Sequence, residues 1–408
     1  MRGARIEGGR LHLEGDTDAD SPLEIWGPGI ASATFGGVAL QLTRQPDGSL
    51  RAGTLAGPAS VPLPDLGKAA WLRRMDSPEA QPGFDDHDWV QADTRPSAAQ
   101  TWTLPERGQP TLAMSDYGFH HGDVWYRGRF DVAGAGTNRL DLFYGGGGAG
   151  MLQAWIDGRF LGQHELDAGR AFPETTDTAR FELGRLAPGP HVVAVMVRND
   201  SHNWDLMADD AHREARGLIA ASVAAKGGRR HTVPIRWRLQ GNRGGEGGTD
   251  PVRGPLNDGG LYGERVGWHL PNASDRSWTP TRPGAPPPGP GTYWLRTRIK
   301  LALPQGHDVQ LGLAFGDTSR PRSDRENRVL IFINGWNMGQ FIAHVGPQRV
   351  FVIPPGILDP QGENTIALAV TTDGQPDNAL EPVRLVALRV VRGGPSVDAV
   401  IDKSGNNL

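Results

Sequence analysis

The sequence predicts an all-β protein, and three observations carry that prediction. Short segments alternate apolar and polar residues in twos rather than at helical spacing. Gly 57 and Pro 33 together exceed a fifth of the 408 residues, which argues against long helices. One set of strand-forming blocks also occurs twice, in the same order.

The alternating segments run Arg10 to Glu14, Leu23 to Trp26, Val124 to Val132, Leu152 to Asp157, His191 to Arg198, Tyr293 to Leu301, Val329 to Asn334 and Asn364 to Val370. They hold β-branched or aromatic residues and are bounded by Gly, Pro, Asn or Asp. One stretch also fits a helix. Between Trp204 and Ala225, Leu206, Ala208, Ala211, Ala215 and Leu218 could form one face, although the end of that stretch reads equally as a strand.

The repeat sets the domain organisation. WYRGRF at 125–130 corresponds to WLRTRI at 294–299, IDGRFLG at 156–162 to INGWNMG at 333–339, and LAPGPHVVAVMV at 186–197 to LDPQGENTIALAV at 358–370. Asp88-Trp89 and Ser277-Trp278 precede the first block in each copy. The Asp-Gly and Asn-Gly dipeptides predict tight hairpin turns within a duplicated β-sandwich. Two domains follow, at 69–240 and 241–395. A small β segment occupies 1–68 and ends in a Pro/Gly-rich stretch at 53–67 that reads as a linker. Residues 241–260 are glycine-rich and read as a connector or exposed loop, and 396–408 as a flexible tail.

Composition excludes several function classes. The 42 Lys+Arg are balanced by 46 Asp+Glu and scattered, so no electrostatic footprint for nucleic acid or an anionic membrane exists. The longest apolar runs, VVAVMV at 192–197 and LIAASVAA at 218–225, fall far short of the roughly 20 residues that span a bilayer. Without cysteine there are no disulfides, thiolate nucleophiles or zinc–sulfur sites. The first 15 residues lack the apolar stretch of a secretion signal, which is expected of a mature chain or a fragment, and the compartment is left open.

Chemical motifs are sparse. GGGGAG at 145–150 fits a dinucleotide pattern formally, yet MLQAWIDG after it alternates as a strand where the pattern needs a helix. His120-His121, with Asp116 and Asp123 nearby, could ligate a metal only from a loop, because adjacent strand residues point to opposite faces. Asp85-Asp86-His87-Asp88 could supply calcium oxygens or form an Asx turn into the strand that Trp89 anchors. No cofactor or metal is expected. Glycoside hydrolysis needs two acids roughly 5 to 10 Å apart. Glu264, Glu326 and Asp205 are conceivable, but no catalytic pair can be read.

The chain has 12 tryptophans. Trp125, Trp155 and Trp294 fall in alternating strands and are expected in sandwich cores. Trp336 follows Asn334-Gly335 at a predicted hairpin tip beside Asn337. Its indole could stack on a sugar while Asn334 and Asn337 bond hydroxyls, or plug into a neighbouring domain. Trp204, within RNDSHNWD at 198–205, admits the same two readings.

Longer blocks carry a family resemblance. GGLYGERVGWHLP at 259–271, PGTYWLRTRIKLALPQGHDVQLGLAF at 290–315, LIFINGWNMGQF at 330–341, VGPQRVFVIPPGIL at 345–358 and GENTIALAV at 362–370 resemble the C-terminal jelly-roll domains of glycoside hydrolase family 35 β-galactosidases. FDDHDW at 84–89, VWYRGRF at 124–130, WIDGRFLG at 155–162 and VMVRNDSHNWD at 195–205 are similar to the preceding jelly roll of those enzymes. The resemblance covers about residues 70–392. It implies tandem galactose-binding-like jelly rolls and a parent reaction, the hydrolysis of terminal non-reducing β-D-galactose residues. The family's two catalytic glutamates lie on an N-terminal (β/α)₈ barrel, and no βαβ alternation occurs here, so neither is carried over to any position. The resemblance therefore implies a non-catalytic portion that supports such a barrel as domain or subunit. A free-standing lectin that binds β-galactosides is the alternative.

Overall fold

The computed structural model describes residues 1–95, 97, 109–133, 136–167, 176–200, 214–225, 233–242 and 259–394. It is all-β, with two sandwiches and a smaller N-terminal β unit. In the first sandwich a six-stranded sheet has the spatial order Val90–Gln91, Arg236–Gln240, Gly122–Val132, Gly189–Asn199, Met151–Ile156, Arg159–Glu165. It faces a three-stranded sheet of Thr176–Leu186, Gly136–Gly145 and Gly217–Ala225. Gly217–Ala225 is thus a strand, which resolves the end of the helix-or-strand stretch; residues 201–213 lie outside the described residues.

The second sandwich repeats the strand order of the first and adds one short strand, Asp16–Thr17, to the opposite sheet. Its six-stranded sheet runs Thr279–Thr281, Trp71–Met75, Gly291–Lys300, Glu363–Thr372, Asn327–Ile333, Trp336–Ile342. Opposite it lie Val350–Val352, His307–Phe315, Val383–Gly393 and Asp16–Thr17. The place of Trp71–Met75 departs from the expected boundary at 69. That strand pairs with Gly291–Lys300 and not with the first sandwich, and Leu66 and Trp71 lie in the second core. In the first sandwich the same sheet position is filled by Arg236–Gln240. The first sandwich is therefore inserted between one strand of the second and the rest of it. Residues 53–67, expected as a linker, supply core contacts through Leu66.

Both faces of each six-stranded sheet are buried. Along Gly189–Asn199, Val193, Val195 and Val197 enter the core between the sheets, while Ala194 and Met196 lie in a second cluster on the outer face. Along Glu363–Thr372, Ile366, Leu368 and Val370 face inward and Ala367 and Ala369 outward. Trp125, Trp155 and Trp294 occupy these outer clusters, not the cores expected from alternation. Trp125 stacks on Trp155 with centroids 5.3 Å apart beneath Ala80, Phe84 and Trp89. Trp294 packs with Trp268 and Trp278. A cover segment thus seals the outer face of each sheet.

An aspartate pins each cover segment, buried in the first copy and half-buried in the second. Asp86 accepts from Arg127 Nε at 2.9 Å and from both terminal nitrogens of Arg129 at 2.8 Å. Arg127 also donates to carbonyls of Glu79, Gln81 and Pro82. In the second copy Asp275 binds Arg296 at 2.7 Å and Arg298, and Arg296 donates to carbonyls of Ala273, Leu270 and Pro271. The N–H of Trp89 donates to the Asp86 carbonyl and that of Trp278 to the Asp275 carbonyl.

The N-terminal unit packs Leu11, Leu13, Ile25, Ile30, Ala33, Leu50 and Ala52 between a four-stranded and a three-stranded sheet. Among the described residues no helix is long and apolar enough to cross a membrane.

Candidate functional site

The hairpin expected to carry a sugar site joins Asn327–Ile333 to Trp336–Ile342 through Asn334-Gly335, whose φ angles of 48° and 81° are those of a two-residue turn with both residues left-handed. Asn334 is buried rather than displayed. Its Nδ2 donates to the Ile357 carbonyl and to Asn364 Oδ1, both at 2.8 Å, and its Oδ1 accepts the Thr365 N–H at 2.8 Å. The register sets Trp336 opposite Ile333, a core residue, and Asn337 opposite Phe332, which belongs to the outer cluster. Trp336 is half-buried, and exposed Asn337 accepts the Gly339 N–H at 2.8 Å. The three side chains are not brought to one surface, and Trp204 lies outside the described residues.

The far end of the same hairpin meets the first sandwich through a charged network. Arg328, with its side chain 1% exposed, donates to Asp200 at 2.9 Å and approaches Glu165 Oε2 at 3.0 Å. His344 Nε2 lies 2.6 Å from Glu165. Gln340 accepts from Arg198 at 3.2 Å and donates to Asp200 at 3.0 Å. Arg198 in turn grips Asp123 with two bonds, at 2.8 and 3.0 Å, across the register pair of their strands. The equivalent pair in the second sandwich is Thr292 and Thr371, joined oxygen to oxygen at 2.9 Å. Gln153 adds a bond to the Thr372 carbonyl at 3.0 Å. Burial alone would raise Glu165; the hydrogen bond from His344 and the charge of Arg328 outweigh it and hold the carboxyl at about 2. Glu165 is thus a fixed anion, suited to anchoring and not to giving up a proton near neutrality.

A second cluster fills the joint between the segment at 76–79 and the one at 259–265. Glu79 and Arg265 form an ion pair with no exposure on either side. Burial pushes Glu79 up to about 7; Arg265 opposes the rise and Asp76 adds to it. Burial also raises Asp76, against hydrogen bonds from Trp294, Ser77 and Gly263. Glu264, one of the conceivable acids, is 2% exposed and accepts the Gly259 and Leu261 N–H groups at 2.8 and 3.0 Å. Glu326 is exposed, and Asp205 lies outside the described residues. Sequence reasoning missed these seam residues because nothing local marks them: Glu165, Asp200, Arg328 and His344 meet only across the fold.

After the GGGGAG run comes the strand Met151–Ile156 and not a phosphate-binding helix. Asp85 Oδ1 accepts the His87 N–H at 3.1 Å, an Asx turn, while Asp86 is committed to the arginines. Asn242 bonds His121. Among the described residues no group of three or more metal-ligating side chains forms.

The comparisons agree with this architecture. Probable β-galactosidase B of Neosartorya fischeri is 32% identical over 91% of this chain and 36% of its own length. Probable β-galactosidase C of Aspergillus fumigatus is 31% identical over 97% and 39%. Probable β-galactosidase A of N. fischeri is 33% identical over 92% and 36%. The chain spans less than half the length of these relatives. Among solved structures, the lectin from Pleurotus ostreatus in complex with GalNAc aligns at 13% identity and a TM-score of 0.20, covering 81% of each chain, a likeness too loose to bear on function. The family described as the β-galactosidase second all-beta domain matches twice, at residues 84–203 and 262–376, one match on each sandwich, so the chain belongs to that β-galactosidase domain family.

Proposed function

We propose that the chain is the accessory β-sandwich portion of a glycoside hydrolase family 35 β-galactosidase, with jelly-roll sandwiches that buttress a catalytic (β/α)₈ barrel and add no catalytic group. The parent reaction is hydrolysis of terminal non-reducing β-D-galactose residues. One observation carries the non-catalytic role. The buried carboxylates Asp76, Glu79, Asp86, Asp123 and Glu264 are all engaged by arginines, the Trp294 indole or backbone N–H groups. A retaining or inverting mechanism needs one ionised and one protonated acid facing a cleft that water reaches. Against the lectin alternative, the Asn334 amide is engaged by Ile357, Asn364 and Thr365, and Asn337 lies on the opposite face of the strand from Trp336.

The test is direct. Purified chain incubated with nitrophenyl β-galactoside releases no nitrophenol above a buffer control. Turnover that co-purifies with the chain and disappears on replacing one Asp or Glu would overturn the reading. A separately expressed barrel from a related enzyme is expected to bind the chain and raise its unfolding temperature by mass action.

A further inference from the structure

The duplication provides an internal control on which side chains the fold itself requires. Both copies keep the clamping aspartate (Asp86, Asp275), the arginine pair it holds, and the tryptophan three residues on (Trp89, Trp278). Both also keep a core tryptophan on the adjoining strand, Trp237 in the first and Trp71 in the second. They part company on that strand. Arg127 is paired in register with Arg238, whereas its counterpart Arg296 is paired with Leu72. Arg129 is paired with Arg236, whose counterpart two residues before Leu72 is Ala70. The second sandwich therefore builds the same clamp with leucine and alanine where the first has two arginines. The fold does not demand them.

The added arginines line a cavity of about 330 Å³ between the loop holding Phe84 to His87 and the strand holding Arg236 to Arg238. That size lies at the lower end of the roughly 300–1,000 Å³ usual for small-molecule sites. Phe84 and Trp237 contribute apolar wall, and Gln91 a further polar group. Arg238 is engaged, donating to the Asp86 carbonyl at 2.8 Å, and Arg129 is engaged by the Asp86 carboxylate. Arg236 is exposed, and its side chain has no hydrogen-bond or ion-pair partner among the described residues. Asp86 is neutralised by two arginines and Asp85 hydrogen-bonds His87 at 2.9 Å, so the uncommitted charge in the cavity is positive. A guanidinium fork suits a carboxylate, and an aromatic wall among amide and carboxylate groups suits a sugar ring and its hydroxyls.

We infer that this cavity binds a small anionic sugar, a ring bearing a carboxylate, with Arg236 on the carboxylate and the ring against Phe84. Calorimetric titration of the full chain at low salt, with galacturonate, galactose and sulfate as probes, tests it. Galacturonate is expected to bind in the millimolar range and galactose, which shares the ring but lacks the carboxylate, about tenfold more weakly. Arg236→Gln is expected to weaken galacturonate about tenfold without moving the unfolding temperature, since Arg236 is exposed. Arg282→Gln, at an exposed arginine elsewhere, leaves affinity unchanged. Absence of galacturonate binding, or binding indifferent to Arg236→Gln, overturns the inference. So does sulfate binding as tightly as galacturonate, which marks an anion site without sugar selectivity.

Discussion

Asn334 holds a left-handed φ of 48° and three side-chain hydrogen bonds at once, which is more than the Asn-Gly dipeptide announces. The dipeptide made the tight turn legible, because few residues tolerate positive φ there. The fate of the amide was not legible, since its partners Ile357, Asn364 and Thr365 lie 23 to 31 residues away in sequence. The first sandwich solves the same problem with other residues: Asp157, also at positive φ, accepts the Val192 N–H at 2.9 Å and lies 2.7 Å from His191. Asn334→Ala strains the turn and leaves a buried N–H unmade, and is expected to cost on the order of 2–4 kcal/mol in chemical denaturation. Asn337→Ala, at an exposed position, should stay within about 0.5 kcal/mol. Equal costs for the two would contradict the assignment of Asn334 as the tie between the turn and the segments at Ile357 and Thr365.

At the level of elements, the repeat was legible because strand blocks and hairpin dipeptides recur in order, and these are local signals. What alternation could not reveal is partnership. Trp71–Met75 reads as a strand wherever it sits, yet its neighbour Gly291–Lys300 begins some 220 residues later, on the far side of an inserted sandwich. Alternation likewise gave the outer-face tryptophans no address, because both faces of a covered sheet are apolar. The clamps make the element-scale energetics testable. Asp86 has a side chain 5% exposed and holds two arginines, one wholly buried, so Asp86→Ala is expected to cost about 3–5 kcal/mol by stranding Arg127. Asp275 is 32% exposed and water screens its pairs, so Asp275→Ala should cost about 1–2 kcal/mol. Trp125→Ala and Trp294→Ala should each cost roughly 3–5 kcal/mol in their own sandwich. Thermal unfolding followed by calorimetry checks all four, and a larger loss at Asp275 than at Asp86 would count against the clamp argument.

For the whole molecule, two carboxyls of opposite behaviour, Glu79 buried and Glu165 half-buried, join the sandwiches, and together they set a pH dependence. Glu79, raised to about 7 chiefly by burial, binds its proton more readily folded than unfolded. Between pH 4.5 and 7 the folded chain therefore carries more protons at this group, and stability falls as pH rises through that window. Glu165, held at about 2 against the penalty of burial by His344 and Arg328, behaves in the reverse sense. Its contribution is complete above pH 4.5 and is lost as pH falls toward 2. The two effects leave greatest stability near pH 5, with a decline of on the order of 1–3 kcal/mol by pH 7.5 from Glu79. His191 adds a decline of the same sign: burial would lower it, but the Ala187 carbonyl and Asp157 raise it. A bare pH profile therefore cannot isolate Glu79, and a variant must. Glu79→Gln keeps the shape, removes the proton exchange and should flatten the loss between pH 5 and 7.5 whatever it does to absolute stability. Urea midpoints of both proteins at the two pH values decide the matter, and an unchanged slope in Glu79→Gln would show that the proton is taken up elsewhere.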